Sequence, residues 1–357
     1  MSSPKIRVGI VFGGQSAEHE ISILSARNVL AALDRGRFEP VLIGIDKAGK
    51  WLAQDERRLI ASARDPRQVA IEPGLPAPLE SAAARVDVVF PVLHGTLGED
   101  GAKQGLFEVA GIPYVGAGVL GSAIGMDKDV MKRLLRDAQL PVADFRVVRQ
   151  QQFAADAGAV CREVQRLGFP IFTKPANAGS SVGVRKVDDP SALEGALRHA
   201  LTFDTKAIAE QRIAGREIEL AVLGGSPPTV SVAGEIIVEH ADGFYSYEAK
   251  YLDEKGARLE IPARLPVEVL RRAQALALRA FEVLECEGLA RVDLFLTPEG
   301  ELYVNEINTL PGFTAISMYP KLWAESGVSQ TDLISRLLDL ALQRARDRAQ
   351  IRRNLLV

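Results

Sequence analysis

The stretch that most constrains the fold is residues 288–317, in which turn-forming residues separate two short apolar runs. The runs cover residues 290–296 and 301–307, and the sequence Thr-Pro-Glu-Gly between them, at residues 297–300, is typical of a hairpin turn. We therefore predict a β-hairpin near the C-terminal end of the chain.

Polar side chains recur on one face of this predicted hairpin. Because side chains alternate across a strand, Arg291, Asp293 and Phe295 share one face of the first strand. Alternate residues of the returning strand are likewise predicted to share one face, namely Leu302, Val304, Glu306 and Asn308. A turn of about two or four residues places Asp293 opposite or diagonal to Glu306, with Cβ atoms about 5 to 8 Å apart.

Two carboxylates and a carboxamide on one face of an apolar hairpin would repel one another and be costly to desolvate. A bound cation removes that penalty. All three side chains offer oxygen atoms, which suit Mg²⁺, and phosphate oxygens can complete its coordination. The hairpin therefore predicts a metal–phosphate site formed by Asp293, Glu306 and Asn308. The alternative is an exposed face whose charges are merely solvated.

Size and composition indicate a soluble enzyme of about two or three domains. The chain has 357 residues, of which 47% are hydrophobic and 25% charged, as is ordinary for globular enzymes. A formal charge of −3 gives no electrostatic reason to expect nucleic acid or anionic membrane as a partner. Cys161 and Cys286 are far apart and in no paired motif, which fits buried, reduced thiols, and no apolar stretch reaches about 18 residues. We therefore expect a cytoplasmic protein.

The first third of the chain, residues 1–124, has the pattern of an open parallel α/β domain. Continuous apolar runs at residues 6–12, 41–45 and 86–92 predict buried parallel strands, whose C-terminal loops would hold a ligand. Residues 47–79 are polar and rich in Pro, Ala and Arg, and we predict that they form an insertion with little core content.

Residues 125–215 contain a second pattern that favours ligand binding. A predicted helix at residues 126–139 has lysines on its polar side, and a later predicted strand ends at Lys174. The loop at residues 176–183, rich in Gly and Ser, can present backbone N–H groups and a cation to phosphates, with an ordinary hairpin turn as the alternative. It is not a P-loop, because Gly-Lys-Ser/Thr and a following helix are missing.

Residues 216–357 combine the hairpin with an aromatic loop and a basic tail. The loop at residues 241–251 contains three tyrosines and a lysine near its end, which favours a lid over a ligand; a surface loop packed by its own aromatic side chains is the alternative. A last helix is predicted at residues 330–342, and we interpret the arginine-rich residues 344–353 as a solvated helix face.

Together these motifs resemble the D-alanine–D-alanine ligases, a family of ATP-grasp enzymes. The matching segments follow the family's order over nearly the whole chain: GGQSAEHEIS (13–22), PVLHGTLGEDG (91–101), GSSVGV (179–184), YEAKY (247–251), RVDLF (291–295) and NEINTLPGFTAIS (305–317). The resemblance implies an α/β and α+β fold with three-domain ATP-grasp architecture. Its parts would be an N-terminal domain at residues 1–124 that binds the first substrate, a central subdomain at residues 125–215 and a C-terminal subdomain at residues 216–357.

The resemblance also implies ATP and two Mg²⁺ (or Mn²⁺) ions as cofactors. Asp293, Glu306 and Asn308 would be the metal ligands, with Glu306 bridging the two ions. The implied nucleotide-binding residues are Lys128 and Lys174 at the phosphates, Ser181 in the loop that closes over them, Glu210, Gln211 and Ile213 at the adenine, and Glu217 at the ribose. The adenine would be bound largely through backbone atoms.

For the first D-alanine, the family implies an ammonium site at Glu18. This carboxylate would be hydrogen-bonded to Ser180 and to Tyr251 of the lid. His94 would lie near the same substrate, although a lone histidine is more often structural.

For the reaction itself, the family implies four further positions. Arg291 and the N–H of Gly312 would form the oxyanion hole. Ser317, with the backbone N–H that follows it, would bind the carboxylate of the second D-alanine, and Lys250 would reach the transferred phosphoryl group.

The implied reaction begins when the carboxylate of the first D-alanine attacks the γ-phosphorus of ATP, which gives an acyl phosphate and ADP. The amine of the second D-alanine then attacks the acyl carbon, and phosphate leaves. A closing lid is needed because water would hydrolyse the acyl phosphate. The resemblance implies that the dipeptide would serve peptidoglycan precursor synthesis, that the partners would be small molecules, and that the enzyme would be a homodimer.

Three other interpretations remain open. An ATP-grasp ligase of the D-alanine–D-lactate or D-alanine–D-serine type would share the metal and ATP residues, although Tyr251 resembles the peptide-forming members. The run VGIVFGG suggests a dinucleotide-binding oxidoreductase, but the third glycine of that fingerprint is missing. A non-catalytic ATP-binding module would not need the full set of Asp293, Glu306, Asn308 and Arg291.

Overall fold

Three β-sheets, with helices packed around them, form the part of the chain that the computed structural model describes, residues 4–62, 65–77, 85–238 and 256–352. The first sheet is mostly parallel and the other two are antiparallel. This is the mixed α/β architecture that the sequence predicts. None of the helices in these residues is long and apolar enough to cross a membrane.

The N-terminal segment builds the first sheet. Its strands are β1 (Ile6–Gly13), β2 (Phe38–Ile45), β3 (Trp51–Ala53) and β4 (Val88–Val92), in the order β3-β2-β1-β4. β1 runs parallel to both β2 and β4, and helix α1 (His19–Ala31) connects β1 to β2. The predicted parallel strands are confirmed. The loops after β1 and β4 carry Glu18 and His94.

The segment after β2 is more structured than the sequence predicts. β3 pairs antiparallel with β2 at the sheet edge and is followed by α2 (Glu56–Ala61) and a 3-10 turn at Pro66–Gln68. Leu59 and Val69 are buried in the core of this sheet. Among the described part of residues 47–79 the buried apolar residues are Leu59, Val69 and Ala77, which agrees with the prediction of little core content. The short strand and helix were not predicted, because a three-residue strand has too few side chains to show alternation.

Three helices connect the first sheet to the second, namely α3 (Ala102–Val109), α4 (Val119–Met126) and α5 (Lys128–Asp137). Asp127 caps α5, since its carboxylate accepts hydrogen bonds of 3.1 Å from the N–H groups of Asp129 and Val130. Met131 and Leu135 are buried beneath the third sheet, which fixes the orientation of the lysines on α5.

The second sheet is antiparallel. Its strands are β5 (Phe145–Arg149), β6 (Ile171–Pro175), β7 (Arg185–Val187) and β8 (Lys206–Gln211), in the order β5-β8-β6-β7. Its helices are α6 (Gln150–Ala155), α7 (Ala157–Gln165) and α8 (Pro190–Ala200). Ile171 of β6 lies in the core with these helices. Because side chains alternate, Lys174 points to the opposite face.

The third sheet is also antiparallel and contains the predicted hairpin. Its strands are β9 (Arg216–Leu223), β10 (Thr229–Val238), β11 (Ala257–Glu260), β12 (Leu289–Leu296) and β13 (Leu302–Asn308), in the order β11-β10-β9-β12-β13. Helix α9 (Val267–Val283) buries Ala273, Ala277 and Phe281 in the core on one face of this sheet. The other face is left to line the clefts described below.

A β-bulge in the hairpin sets which side chains face the clefts. Leu294 pairs with Val304, but the next pair is Asp293 with Glu306, so Asn305 is the extra residue. Asp293 and Glu306 are therefore directly opposed, which confirms the prediction that they are cross-strand neighbours.

The prediction of one shared face for the returning strand is wrong. Leu302 and Val304 are buried in the core, whereas Glu306 and Asn308 line the clefts. The bulge at Asn305 reverses the alternation between the two pairs.

The last two helices return to the first sheet. α10 (Met318–Glu325) and α11 (Gln330–Ala349) bury apolar side chains in one core with β1 and β4. Arg344 Nη2 donates to the carbonyl of Tyr114 at 2.6 Å, and Arg348 Nη2 lies 3.1 Å from the carboxylate of Glu287. The interpretation of the tail as a solvated face is therefore wrong for these two arginines.

Candidate active site

A cleft of about 1220 Å³, including open solvent at its mouth, lies between the second and third sheets. Ligand pockets in proteins are typically about 300–1,000 Å³, so the cleft can hold a nucleotide-sized molecule. The predicted residues that line it are Lys128, Lys174, Ser180, Ser181, Glu210, Gln211, Ile213, Glu217, Asp293 and Glu306. The structure thus brings together residues that are up to 178 positions apart in the sequence.

A smaller pocket adjoins this cleft and reaches the first sheet. Its predicted lining residues are Glu18, His94, Ser180, Arg291, Glu306, Asn308, Gly312 and Ser317. Ser180, Glu219 and Glu306 line both cavities. They mark the junction where a molecule in the pocket can meet one in the cleft.

Lys128 links the loop at residues 176–183 to the hairpin. Its Nζ donates to the carbonyl of Ala178 at 2.8 Å and lies 3.5 Å from the carboxylate of Glu306. Lys174, at the end of β6, forms an ion pair with Glu210. Both predicted phosphate-binding lysines therefore lie in the cleft, each against a carboxylate.

Glu210 is held between two ammonium groups, a buried one from Lys132 and a largely buried one from Lys174. Lys174 contacts one of its oxygens, and Lys132 Nζ lies 3.1 Å from the other. Burial alone would raise the pKa of Glu210, but Lys132 and Lys174 outweigh burial and hold it below its ordinary value. The sequence motifs do not single out Lys132. Its position one helical turn after Lys128 is the signal that could have identified it.

Two backbone N–H groups at the end of β8, where the family resemblance implies adenine binding, donate hydrogen bonds within the protein. The N–H of Gln211 donates to Asp144 at 2.9 Å, and that of Arg212 donates to Pro170 at 3.1 Å. We therefore expect a base in the cleft to bond to the N–H of Ile213 and to carbonyl oxygens of this segment.

The loop at residues 176–183 has a constrained backbone. Ser180 and Ser181 have φ angles of 49° and 60°, in the left-handed region that costs a non-glycine residue about 1–3 kcal/mol. Its Ser180 hydroxyl donates to the carboxylate of Glu18, which is 7% exposed. The loop thus connects the first sheet to the cleft, through the contact that the family resemblance implies.

Asp293, Glu306 and Asn308 bring oxygen atoms to the junction of the two cavities. Asn308 Nδ2 donates to Asp293 at 3.0 Å, and Arg291 binds Asp293 through two hydrogen bonds of 2.7 Å. Arg291 therefore faces Asp293, Lys128 faces Glu306, and the all-oxygen donor set fits Mg²⁺. Within the described ranges, no three His, Cys, Asp or Glu side chains could hold a metal by themselves. Phosphate oxygens or water would have to complete the coordination.

Arg291 lies between two carboxylates. Besides Asp293 it faces Glu219, with 3.0 Å between Arg291 Nε and Glu219 Oε2. Burial alone would lower the pKa of Arg291, but Asp293 and Glu219 outweigh it and hold the pKa above its ordinary value. The guanidinium is therefore a permanent positive charge at the junction.

Both ring nitrogens of His94 lie within hydrogen-bond distance of protein groups. Nδ1 lies 3.0 Å from the carbonyl of Leu310, and Nε2 lies 3.2 Å from the hydroxyl of Ser25, which accepts a hydrogen bond from the N–H of Phe313. Burial lowers the pKa of His94 despite the nearby Glu18, so the ring is neutral near pH 7. In this arrangement it fixes the turn that precedes Phe313.

Gly312 and Ser317 lie close together in the pocket. A Cβ on Gly312 would lie 2.7 Å from Ser317 Oγ, which is held by the N–H of Thr314 at 3.0 Å. Ser317 immediately precedes α10, whose first N–H groups have no acceptor within the helix. A helix N-terminus of this kind favours a carboxylate.

Glu99 is a further carboxyl group in the pocket, which the motifs include but do not single out. It is 9% exposed and accepts a hydrogen bond of 3.0 Å from the N–H of Gly95. Burial, helped by the carboxylate of Glu18, raises the pKa of Glu99 to about 8. Glu99 is therefore protonated at pH 7.

Replacement of Glu99 by glutamine is expected to change how stability depends on pH. Above pH about 4.3 the unfolded chain loses the Glu99 proton, whereas the folded chain keeps it until about pH 8. The unfolded state then binds fewer protons, so the free energy of unfolding of the wild type falls as pH rises through this window. Glu99→Gln has no carboxyl proton to lose. The difference in melting temperature between Glu99→Gln and the wild type should therefore grow in favour of the variant as pH rises from about 4.3 to about 8.

Thermal unfolding across this pH window measures the effect. Glu299→Gln, at an exposed position of the hairpin turn, is the control, and it should follow the wild-type curve. If the melting temperatures of the wild type and of Glu99→Gln changed with pH in parallel, the raised pKa of Glu99 would be contradicted.

Tyr251 and Lys250 lie outside the described residues, as does the whole predicted lid at residues 241–251. The hydrogen bond from Tyr251 to Glu18 and the contact of Lys250 with the phosphoryl group stay predictions.

Two family models match the chain. The D-ala D-ala ligase N-terminus model matches residues 7–117, and the D-ala D-ala ligase C-terminus model matches residues 134–339. The chain belongs to the D-alanine–D-alanine ligase family. The family predicted from the sequence motifs is therefore confirmed.

Relatives of the D-alanine–D-alanine ligase family cover nearly the whole chain. D-alanine–D-alanine ligase A of Chromobacterium violaceum is 52% identical, over 96% of this chain and 96% of that protein. The solved D-alanine–D-alanine ligase from Coxiella burnetii is 36% identical with a TM-score of 0.83, over 98% of this chain and 97% of the other. The VanG D-Ala:D-Ser ligase from Enterococcus faecalis is 33% identical with a TM-score of 0.80, over 95% of this chain and 100% of the other.

These likenesses confirm the predicted ATP-grasp fold and the interpretation of the chain as a ligase. They do not favour the dinucleotide-binding oxidoreductase.

Proposed function

We propose that the chain joins two D-alanine molecules to D-alanyl-D-alanine, a peptidoglycan precursor, with ATP as energy source and an acyl phosphate as intermediate. The observation that carries this proposal is the position of the opposed carboxylates Asp293 and Glu306. They lie where a nucleotide-sized cleft meets a pocket lined by Glu18 and Ser317. A carboxylate in the pocket can there meet the terminal phosphate of a nucleotide.

ATP would lie along the cleft between the second and third sheets. Lys128 and Lys174 would bind its phosphates, while Ile213 and Glu217 would bind the base and the ribose. Two Mg²⁺ (or Mn²⁺) ions held by the three oxygen-donor residues of the hairpin would neutralise charge on the transferring phosphoryl group.

The residues of the pocket would order the two amino acids. Glu18, held by the hydroxyl of Ser180, would accept the ammonium of the first D-alanine. Ser317 and the N-terminus of α10 would bind the carboxylate of the second. Arg291 and the N–H of Gly312 would donate to the oxyanion that develops when the amine attacks.

The three predicted segments, residues 1–124, 125–215 and 216–357, would act as first-substrate domain, central ATP-grasp subdomain and C-terminal ATP-grasp subdomain. We also propose that the enzyme is a cytoplasmic homodimer whose partners are small molecules.

The experiment that tests the function is ADP release from MgATP with D-alanine, L-alanine or D-lactate added. D-Alanine should stimulate release and give the dipeptide, and L-alanine should not. Equal stimulation by both enantiomers, or ADP release without dipeptide, would refute the proposal.

D-Alanine is expected to be preferred over D-lactate as the second substrate by at least about tenfold at neutral pH, because the named D-alanine–D-alanine ligase relative is 52% identical and an amine is the stronger nucleophile. The ratio of dipeptide to ester product, formed with D-alanine and D-lactate present together, measures this preference. Equal rates with both acceptors would contradict it.

Replacement of Gly312 by alanine is expected to raise the KM for the second D-alanine about tenfold, because the new Cβ would displace the Ser317 hydroxyl from a distance of 2.7 Å. The KM for ATP should change little, since Gly312 does not line the nucleotide cleft. Steady-state kinetics with each substrate varied in turn measures both constants. Gly195→Ala is a control glycine whose Cβ would meet no atom within 4 Å, and an unchanged acceptor KM in Gly312→Ala would contradict the assignment.

A further inference from the structure

Glu219 is a buried carboxylate that neither the motifs nor the family resemblance singles out. It lies on β9 and pairs in register with Asp293 of β12, which in turn pairs with Glu306 of β13. Three carboxylates therefore occupy one row across three adjacent strands. Glu219 is 4% exposed and lines both the cleft and the pocket.

A third carboxylate in this row needs positive charge beside it, because like charges on neighbouring strands repel. Arg291 supplies this charge. Its Nε lies 3.0 Å from Glu219, and its Nε and Nη2 donate to Asp293 at 2.7 Å. The single Nε hydrogen is donated to Asp293 on the same strand, so Glu219 on β9 attracts the guanidinium by its charge.

The two carboxylates are not equivalent. Asp293 is a candidate metal ligand, and a carboxylate that shares its charge with a divalent cation holds a neighbouring guanidinium less strongly, because the two cations repel. Glu219 is not among the side chains that the family resemblance implies as metal ligands, and it lies 3.0 Å from Arg291 Nε. It therefore remains the anionic partner of Arg291 when Asp293 binds a metal.

We infer that Glu219 is a positioning residue, which holds Arg291 towards the junction of the two cavities and thereby sets the rate of amide formation. The inference rests on the proposed function. An oxyanion donor is effective only if it is oriented before the reaction, and Glu219 supplies that orientation from a neighbouring strand. Nucleotide binding should depend on it only weakly.

Glu219→Gln tests this inference, since it keeps the shape of the side chain and removes its charge. We expect kcat for dipeptide formation to fall at least about tenfold, while the KM for ATP changes by less than about threefold. The Kd of a non-hydrolysable ATP analogue, measured by calorimetry, should also stay within about threefold. A fall in nucleotide affinity as large as the fall in kcat would overturn the inference.

Glu235→Gln is the matched control. Glu235 is also buried in the third sheet, at 7% exposure, and pairs with an arginine of β9, Arg216, at 2.8 Å, but it lines neither cavity. It should keep the wild-type kcat. If both glutamine variants lost activity equally, the effect would be a general loss of a buried ion pair, and the inference would fail.

A double-mutant cycle shows whether Glu219 acts through Arg291. In an Arg291→Ala background, Glu219→Gln should lower kcat no further, because the residue that it positions is absent. Independent, multiplicative losses would contradict the inference.

Glu219→Asp, which keeps the charge, should retain more activity than Glu219→Gln. A wild-type enzyme that makes no dipeptide would refute the function itself, whereas an active wild type with an equally active Glu219→Gln would refute only the role of Glu219.

Discussion

Replacement of Arg291 by alanine is expected to lower kcat for dipeptide formation about a hundredfold or more, because loss of one oxyanion donor typically raises the barrier by about 3 kcal/mol. The guanidinium is the permanent cation at the junction of the two cavities, held by Asp293 and Glu219. Its removal also leaves those two carboxylates facing each other, so the melting temperature should fall. Steady-state kinetics with detection of the dipeptide, together with thermal unfolding, measures both effects.

Arg216→Ala is the control for this experiment. Arg216 also pairs with a glutamate in the third sheet but lines neither cavity, so its loss should leave kcat near the wild-type value. Arg291→Lys should be intermediate, since lysine keeps the charge but not the two-pronged geometry. A near-normal kcat in Arg291→Ala would remove Arg291 from the oxyanion hole.

Replacement of Glu306 by glutamine is expected to lower kcat about a thousandfold, a larger loss than that expected for Arg291→Ala. Glu306 lines both cavities, opposes Asp293 across the hairpin and lies 3.5 Å from Lys128. Glutamine keeps the size of the side chain but loses the negative charge that a divalent cation needs. The Mg²⁺ concentration for half-maximal activity should therefore rise as well, and a titration of activity against Mg²⁺ at fixed ATP measures it.

Glu301→Gln is the matched control on the same hairpin. Its side chain is 66% exposed and lines neither cavity. It should keep the activity and the Mg²⁺ dependence of the wild type. If Glu306→Gln behaved in the same way, Glu306 could not be a metal ligand.

Long apolar runs and glycine-containing turns were sufficient to predict the elements that carry the site. The runs at residues 8–12, 41–45 and 88–92 have no polar interruption, which is typical of strands covered on both faces. The hairpin was predictable because its turn residues lie between two short apolar runs. Short elements such as β3 gave no such periodic signal.

The β-bulge at Asn305 could not be predicted from the sequence. Its position depends on tertiary packing: Leu302 and Val304 must reach the core below the sheet, while Glu306 and Asn308 must reach the cavities on the other side. A regular strand cannot satisfy both demands, and one extra residue resolves the conflict.

The roles of Lys132 and Glu219 were not predicted, for a related reason. Each is one side chain in a regular helix or strand, and its importance depends on what lies opposite. Lys132 is notable only because Glu210 faces it, and Glu219 only because Asp293 and Arg291 lie beside it. Such neighbours come from segments distant in sequence, so periodicity alone does not reveal them.

The central claim is that Asp293 and Glu306 hold a divalent cation at the junction of the two cavities. Anomalous diffraction from crystals soaked with Mn²⁺ and a non-hydrolysable ATP analogue tests it most directly. We expect a manganese peak between the two carboxylates, in contact with oxygens of both side chains and of the nucleotide phosphates. A peak elsewhere, or carboxylates that point away from a cleft without metal, would contradict the claim.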